Sequence, residues 1–339
     1  MNKDIGIKTI LTLVSPTKYD WRDVALSIVG NNQSTFGKAR AIFDWLCDNI
    51  TYDTSYKIHN ADAAWEKRKG VCQAYCEIFY RLGLSVGLDV RIVSGRSKNR
   101  DGEVSKDGHA WIAVNVSSKI IQKNLFPESI TYFDNQIEQS KFASTRGLDK
   151  ASCILIDPTW GAGAVVNGRF LKGKNRDQWF NVKPEWFVFS HFPENPSDQL
   201  LGENAITQQQ FFSLPYLTAE FEGFGFDCSS TLFAFLTQKI QLPEINPSLS
   251  DYIQFEDIPL QNTLRKSNSY NFIFKKKKSC TLAIFGETSF RDDDESSCWK
   301  SDVDYSSILF NTGHCDELCI GLNSAGGSTF TMFLTYKVL

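Results

Sequence analysis

No run in this chain comes near the about 18 consecutive apolar residues of a membrane-spanning helix, so no membrane partner is expected. The segment from Ile5 to Val14 is short, mixed and without a small-residue cleavage pattern, so no secretory signal is expected either. Charge of one sign is also lacking. A net charge of −3 over 339 residues supplies no general attraction to nucleic acid or to an anionic surface. The nine cysteines are odd in number and thinly spread. That excludes a disulfide framework and suits a reducing compartment, with the cytoplasm as the expectation. Neither a G-x-G-x-x-G turn nor a P-loop stands in its proper context, and no internal repeat is found.

What is present is globular in balance, with 42% apolar and 22% charged residues. Abundant Phe, Tyr and Trp favour large packed cores and a substrate groove. Residues 1–33 read as an irregular lead-in. Ser34 then caps a helix reaching about Ile50, with Phe36, Ala39, Phe43, Leu46 and Ile50 on one face. Residues 51–69 read as a polar connection containing Tyr52, Asp53 and Trp65. A second helix starts near Val71, carries Tyr75, Ile78, Phe79 and Leu82 on its apolar stripe, and ends at Gly83. Leu88 to Ser94 reads as a strand. His109 to Val116 alternates cleanly, with Ala110, Ile112, Val114 and Val116 on one side and His109, Trp111, Ala113 and Asn115 on the other. Residues 117–151 read as a polar insertion. Ile154 to Ile156 is a short buried strand stopped by Asp157-Pro158, and 160–183 is loop or short hairpin.

The first domain is expected over 1–201 and a second over 202–339. In the latter, Tyr270, Phe272 and Phe274 alternate with other residues, as do Phe330, Met332, Leu334, Tyr336 and Val338. Thr231–Thr237, Tyr252–Ile258, Thr281–Phe285, Ser306–Phe310 and Glu317–Leu322 also read as strands. Several short strands separated by Asn, Gly, Ser and Asp turns predict a β-sandwich.

Chemistry concentrates at three places: Gly70-Val71-Cys72 with Tyr75, Gly108-His109-Ala110-Trp111, and Asp157-Pro158-Thr159-Trp160-Gly161. A thiol attacks only as thiolate, so its pKa near about 8.5 must fall. Cys72 stands where a helix begins, and the positive end of the helix favours the anion. An imidazole beside it lowers the pKa further and protonates a leaving group, while a carboxylate holds the ring in one tautomer. If the strands around His109 and Ile156 are antiparallel neighbours, the start of one meets the end of the other. His109 and Asp157 then share one sheet end. His109 also points away from the set Ile112, Val114 and Val116, so it need not lie in that core. Cys76 shares the helix but gains no role.

These three motifs together resemble the transglutaminase-like superfamily. Pro184-Glu185, His191-Phe192-Pro193 and Gln199-Leu200-Leu201 resemble its kyphoscoliosis-peptidase-like branch, over roughly residues 30–201. The resemblance implies a papain-like α+β fold, a helix packed on an antiparallel sheet, with Cys72 as nucleophile, His109 as base and Asp157 as orienting carboxylate. The expected function is thiol-dependent acyl transfer on protein or peptide amides through a thioester, with a peptidase outcome. Cross-linking or deamidation and an inactive binding scaffold stand as alternatives. No cofactor is required. The Cys72 backbone N–H is one oxyanion donor. Trp65, Tyr52 and Gln73 are candidates for another, and Trp111 and Trp160 for groove walls. His191 and Trp186 either extend the groove or close the domain. Members of the superfamily often carry Asn after His-Ala-Trp, where this chain has Ile112. The C-terminal β domain is a candidate surface for a protein partner.

Other motifs weigh less. His314-Cys315 and Cys319, with Cys280 and Cys298 upstream, hold soft ligands without a clear second pair, so no metal is assigned. Asp292 to Glu295 lacks the Gly and terminal Glu of a calcium loop and reads as a solvated turn. Lys275 to Lys278 reads as the exposed end of a strand.

Overall fold

The computed structural model describes residues 19–116, 152–238, 240–287, 298–301, 305–324 and 329–339. The 117–151 insertion and the Asp292–Glu295 run lie outside the described residues. The chain divides into two compact units, 1–211 and 212–339.

In the first unit the lead-in holds a helix, α1 (Trp21–Val29), that the sequence reading left irregular. The Asp20 carboxylate accepts from the Arg22 and Asp23 N–H groups and caps it, and Trp21, Ala25 and Val29 form its buried stripe. α2 (Thr35–Asn49) starts at its expected cap, Ser34, whose hydroxyl accepts from Gly37 N–H. It buries Ala39, Ile42, Phe43, Leu46 and Cys47. The polar connection after it contains β1 (Thr51–Tyr52), a short helix α3 (Ala61–Lys67) and β2 (Lys69–Gly70), with β1 and β2 parallel.

α4 (Cys72–Ser85) follows and runs two residues past Gly83. Gly83 is buried within the helix rather than ending it. A Cβ there would come 2.6 Å from Val90 Cγ2, so the missing side chain lets the helix lie close on the sheet. That sheet has five strands in the order β8-β5-β4-β3-β9. They are β3 (Asp89–Ser97), β4 (His109–Asn115), β5 (Cys153–Ile156), β8 (Phe180–Val182) and β9 (His191–Pro193). Every pairing in it is antiparallel. Between β5 and β8 a two-stranded hairpin forms, β6 (Gly163–Val166) with β7 (Arg169–Lys172). α4 packs against β3 and β4. Ile78, Phe79 and Leu82 are fully buried on it, each worth about 1.5–3 kcal/mol relative to exposure. Central β4 is buried on both faces, so its alternation does not separate core from solvent, and His109 is buried too.

The second unit is mainly β. It also holds a helix, Cys228–Gln238, where the sequence reading placed a strand at 231–237. The Asp227 carboxylate accepts from Ser230 N–H at 2.9 Å, a local cap that outweighs the β-leaning side chains after it. One sheet is mixed: β10 (Glu244–Ile245), β18 (Thr331–Val338), β17 (Glu317–Asn323), β14 (Thr281–Glu287) and β15 (Cys298–Ser301) in that order, with β12 (Thr263–Leu264) parallel to β18. The other has three antiparallel strands, β11 (Ile253–Asp257), β13 (Ser269–Lys276) and β16 (Tyr305–Asn311). Phe272, Phe274 and Ile308 from the second sheet and Leu282, Ile320 and Tyr336 from the first share one core.

Of the lysine run, Lys276 is buried, while Lys277 donates to Ser250 O at 3.0 Å and Lys278 pairs with Asp251 at 3.2 Å. Cys315 donates to Thr312 O and Cys319 lies 3.2 Å from Glu317 Oε1. Among the described residues no helix is long and apolar enough to cross a membrane.

Candidate active site

Cys72 is the first residue of α4. What precedes it is tightly braced. The buried Asp53 carboxylate accepts from the N–H groups of Ser55, Lys57 and Ile58 and from the Ser55 hydroxyl. Ile58 O in turn accepts from Val71 N–H at 2.9 Å, and Gly70 O from Asp53 N–H. A Cβ on Gly70 would meet Ala74 Cβ at 2.7 Å and Ala64 Cβ at 3.1 Å, so only glycine lets the chain enter the helix this close to α3.

His109 opens β4 opposite Gly95 of β3. β5 runs antiparallel beside β4, with Ile112 opposite Ile156. The expected meeting of one strand's start with the other's end therefore occurs. Asp157 leaves β5 and caps the helical turn Pro158–Ala162. Its Oδ1 accepts from Thr159 N–H at 2.9 Å and Trp160 N–H at 3.0 Å. Its Oδ2 accepts from His109 Nε2 at 2.8 Å and from His191 Nε2 at 3.0 Å. Four N–H donors thus saturate a carboxylate that has no exposure.

The electrostatics follow from this packing. Burial alone would raise Asp157, but the charge and hydrogen bond of His109 and the bond from His191 hold it well below the usual carboxylate range. Burial alone would lower His109, but Asp157 and Cys72 push it up to about 10. Burial raises the Cys72 thiol, yet its hydrogen bond with His109, the His109 charge and the Ala110 N–H bring it below the ordinary value. Burial keeps His191 down at about 4 in spite of Asp157. The lowered Cys72 thiol and the raised His109 imidazole favour each other's charged form, with a neutral second imidazole behind the carboxylate.

The other sequence candidates scatter. Tyr52 is close enough to Cys72 for the thiolate charge to act on its hydroxyl, which burial first and that charge second push above the ordinary tyrosine range. Trp160 and Trp111 lie 5.4 Å and 6.2 Å from the His109 ring, and Trp111 is fully buried. Gln73 turns its amide to Glu77 at 3.2 Å. Trp65 stacks on Trp45 at 4.5 Å with the Arg68 guanidinium 4.1 Å above it, in a separate aromatic group. Trp186 is buried and packs on Phe189. His191 is the residue whose place the sequence did not disclose. It stood in the motif His191-Phe192-Pro193, but nothing in spacing tied it to Asp157. Among the described residues, His109, Asp157 and His191 form the one group of ligating atoms, all within 4.8 Å, that could hold a metal ion. Each nitrogen already sits at hydrogen-bond distance from one carboxylate oxygen, which accounts for the cluster without an ion.

A helix with a cysteine at its head lies on an antiparallel sheet that carries a buried His-Asp-His group. Residues 22–121 match the family model of the transglutaminase-like superfamily, a span that holds Cys72 and His109. The chain is 25% identical over 201 residues to kyphoscoliosis peptidase of Homo sapiens, covering 56% of this chain and 25% of that protein. Its counterpart in Mus musculus is 25% identical over 205 residues, covering 57% and 26%. The match spans about a quarter of the length of these relatives. Among solved structures, a crystal structure of a TGase aligns at 18% identity over 37% of this chain and 39% of the other, with a TM-score of 0.24. Red sea bream transglutaminase aligns at 10% identity over 89% and 56%, with a TM-score of 0.30.

Proposed function

We propose that the chain is a thiol-dependent acyl-transfer enzyme acting on protein or peptide amides, with Cys72 as nucleophile, His109 as acid and base, and Asp157 as orienting carboxylate. The observation that carries this reading is the buried His109–Asp157 pair, joined at 2.8 Å, whose histidine lowers the thiol of Cys72 at the head of α4. The thiolate attacks the amide carbonyl carbon, forming a C–S bond as the carbonyl pair moves to oxygen. The His109 imidazolium gives its proton to the amide nitrogen, the C–N bond breaks and the amine leaves. A thioester remains. Water then adds at its carbonyl and gives a proton to His109. The C–S bond breaks, the acid departs and the thiolate is left beside the protonated His109, as at the start.

The Cys72 N–H is one donor to the oxyanion, and Tyr52 is the better second donor. Its hydroxyl stays protonated beside the thiol, whereas Gln73 and Trp65 are engaged elsewhere. A peptidase outcome is favoured by the likeness to kyphoscoliosis peptidase. Amine transfer is favoured by the superfamily's own description.

The deciding assay incubates wild type and Cys72→Ala with an unfolded protein substrate, with and without a primary amine. New N-termini that need Cys72 mark a peptidase, and Cys72-dependent amine incorporation marks a transferase. A wild-type Cys72 that neither reacts with substrate nor alkylates faster than the other thiols overturns the enzyme. A binding scaffold would then be left, with the mainly-β unit as its candidate partner surface.

A further inference from the structure

We propose that His191, held by Ser190, is a positioning residue that completes the site from behind Asp157, an inference that rests on the catalytic reading of Cys72, His109 and Asp157. Asp157 Oδ2 has two lone-pair directions. One receives His109 Nε2 at 2.8 Å and the other His191 Nε2 at 3.0 Å. The His191 ring is itself fixed. It stacks on Phe187 at 4.0 Å and 12°, and Trp160 and Trp111 stand 4.5 Å and 5.1 Å away. Its other nitrogen, Nδ1, lies 2.8 Å from Ser190 Oγ. That hydroxyl is nearer to Nδ1 than to Phe187 O at 3.3 Å, so its proton goes to the ring. Nδ1 then accepts, and the ring proton sits on Nε2, facing the carboxylate.

The titratable groups acting on His191 are Asp157 and His109, and its remaining neighbours named above are aromatic rings and the Ser190 hydroxyl. With an apolar ring in place of His191, the second Oδ2 direction loses its donor. The His191 N–H fills that direction and draws off part of the negative charge. Asp157 therefore orients His109 without holding its proton too tightly to be given to a leaving amine. Gly95 belongs to this device. A Cβ there would strike Trp111 Cη2 at 2.6 Å and press on the β9 backbone that carries His191.

The test follows the rate of Cys72 alkylation by iodoacetamide against pH, which needs no substrate. The wild-type rate should rise in two steps, the upper one near pH 10 where His109 loses its proton. His191→Phe keeps the stacked ring and removes the donor. Its upper step should move to higher pH, and amide turnover should fall by about tenfold to a hundredfold, the worth of one hydrogen bond to a charged group. His191→Gln returns an N–H near the Nε2 position and should restore both. An unmoved upper step in a folded His191→Phe protein overturns the proposal and leaves His191 as packing. Should that variant not fold, nitrogen-15 spectra of the wild-type histidines decide. His191 is expected neutral with its proton on Nε2 at neutral pH, and a proton on Nδ1, or on both nitrogens, overturns the proposal. A wild-type thiol no more reactive than the others would instead sink the catalytic reading, a separate outcome.

Discussion

Asp157 carries three tasks at once: it caps a helical turn, bonds two histidines and offsets the His109 charge. Asp157→Asn separates them. Asparagine caps a helix about as well as aspartate, so the variant should fold. It cannot offset an imidazolium, so His109 should drop from about 10 toward its ordinary value and the thiolate should lose its partner. Alkylation of Cys72 at neutral pH should slow by about tenfold or more, since each unit of pKa is a factor of ten. An unchanged rate would mean that Cys72 is activated by the helix end alone. The two histidines also set opposite pH limits on stability. His109 is raised in the fold, so its contribution is complete below its unfolded value near 6.5 and is lost as pH climbs to about 10. His191 is lowered, so its contribution is complete above about 6.5 and is lost as pH falls to about 4. Urea midpoints measured from pH 4 to 10 should peak between these limits. A midpoint that stays flat from pH 6.5 to 4 would contradict a neutral buried His191.

At the scale of elements, local rules were legible where side chain and backbone agreed. Ser34 announced α2 because its hydroxyl serves the N–H three residues on, and Cys72 fell at a helix start as its neighbours implied. The juxtaposition of His109 and Asp157 needed only antiparallel pairing of two strands, which holds. The reading failed where a residue has two uses. Gly83 matches a helix stop, yet serves close packing on Val90. The segment 231–237 has strand-like side chains, yet the Asp227 cap commits it to helix. His191 was illegible for another reason. Its partner lies on a different strand, and nothing local marks a ring that will sit behind a carboxylate. Substitution of Gly83 tells close packing from helix termination. Alanine is the better helix former by about 1 kcal/mol, so a mere terminator replaced inside the helix should gain stability. Against a 2.6 Å approach to Val90, Gly83→Ala should instead lose about 1–3 kcal/mol, read as a lower urea midpoint.

For the whole molecule, the two compact units can be cut apart. Cys72, His109, Asp157 and His191 all belong to the unit that ends at Phe211, and the second unit has a core of its own. Where the cut falls matters. Composition changes at about 202, but residues 202–211 are tied into the first unit. The Gln199 side chain bonds both the N–H and the carbonyl of Ile206 at 2.8 Å. Lys98, 1% exposed, donates its ammonium to Phe211 O and lies 4.4 Å from that ring. Cutting at 201 removes one acceptor of a buried cation. Losing a hydrogen bond to a charged group costs about 1.5–3 kcal/mol, a large part of a domain's stability. A fragment of residues 1–213, which keeps the helix Gln208–Ser213 whole, should fold and alkylate Cys72 at the rate of the full chain. A fragment of residues 1–201 should melt well below it. Equal melting of the two fragments would show that Lys98 and Ile206 brace nothing. Slow alkylation in a well-folded 1–213 fragment would mean that the second unit takes part in forming the site.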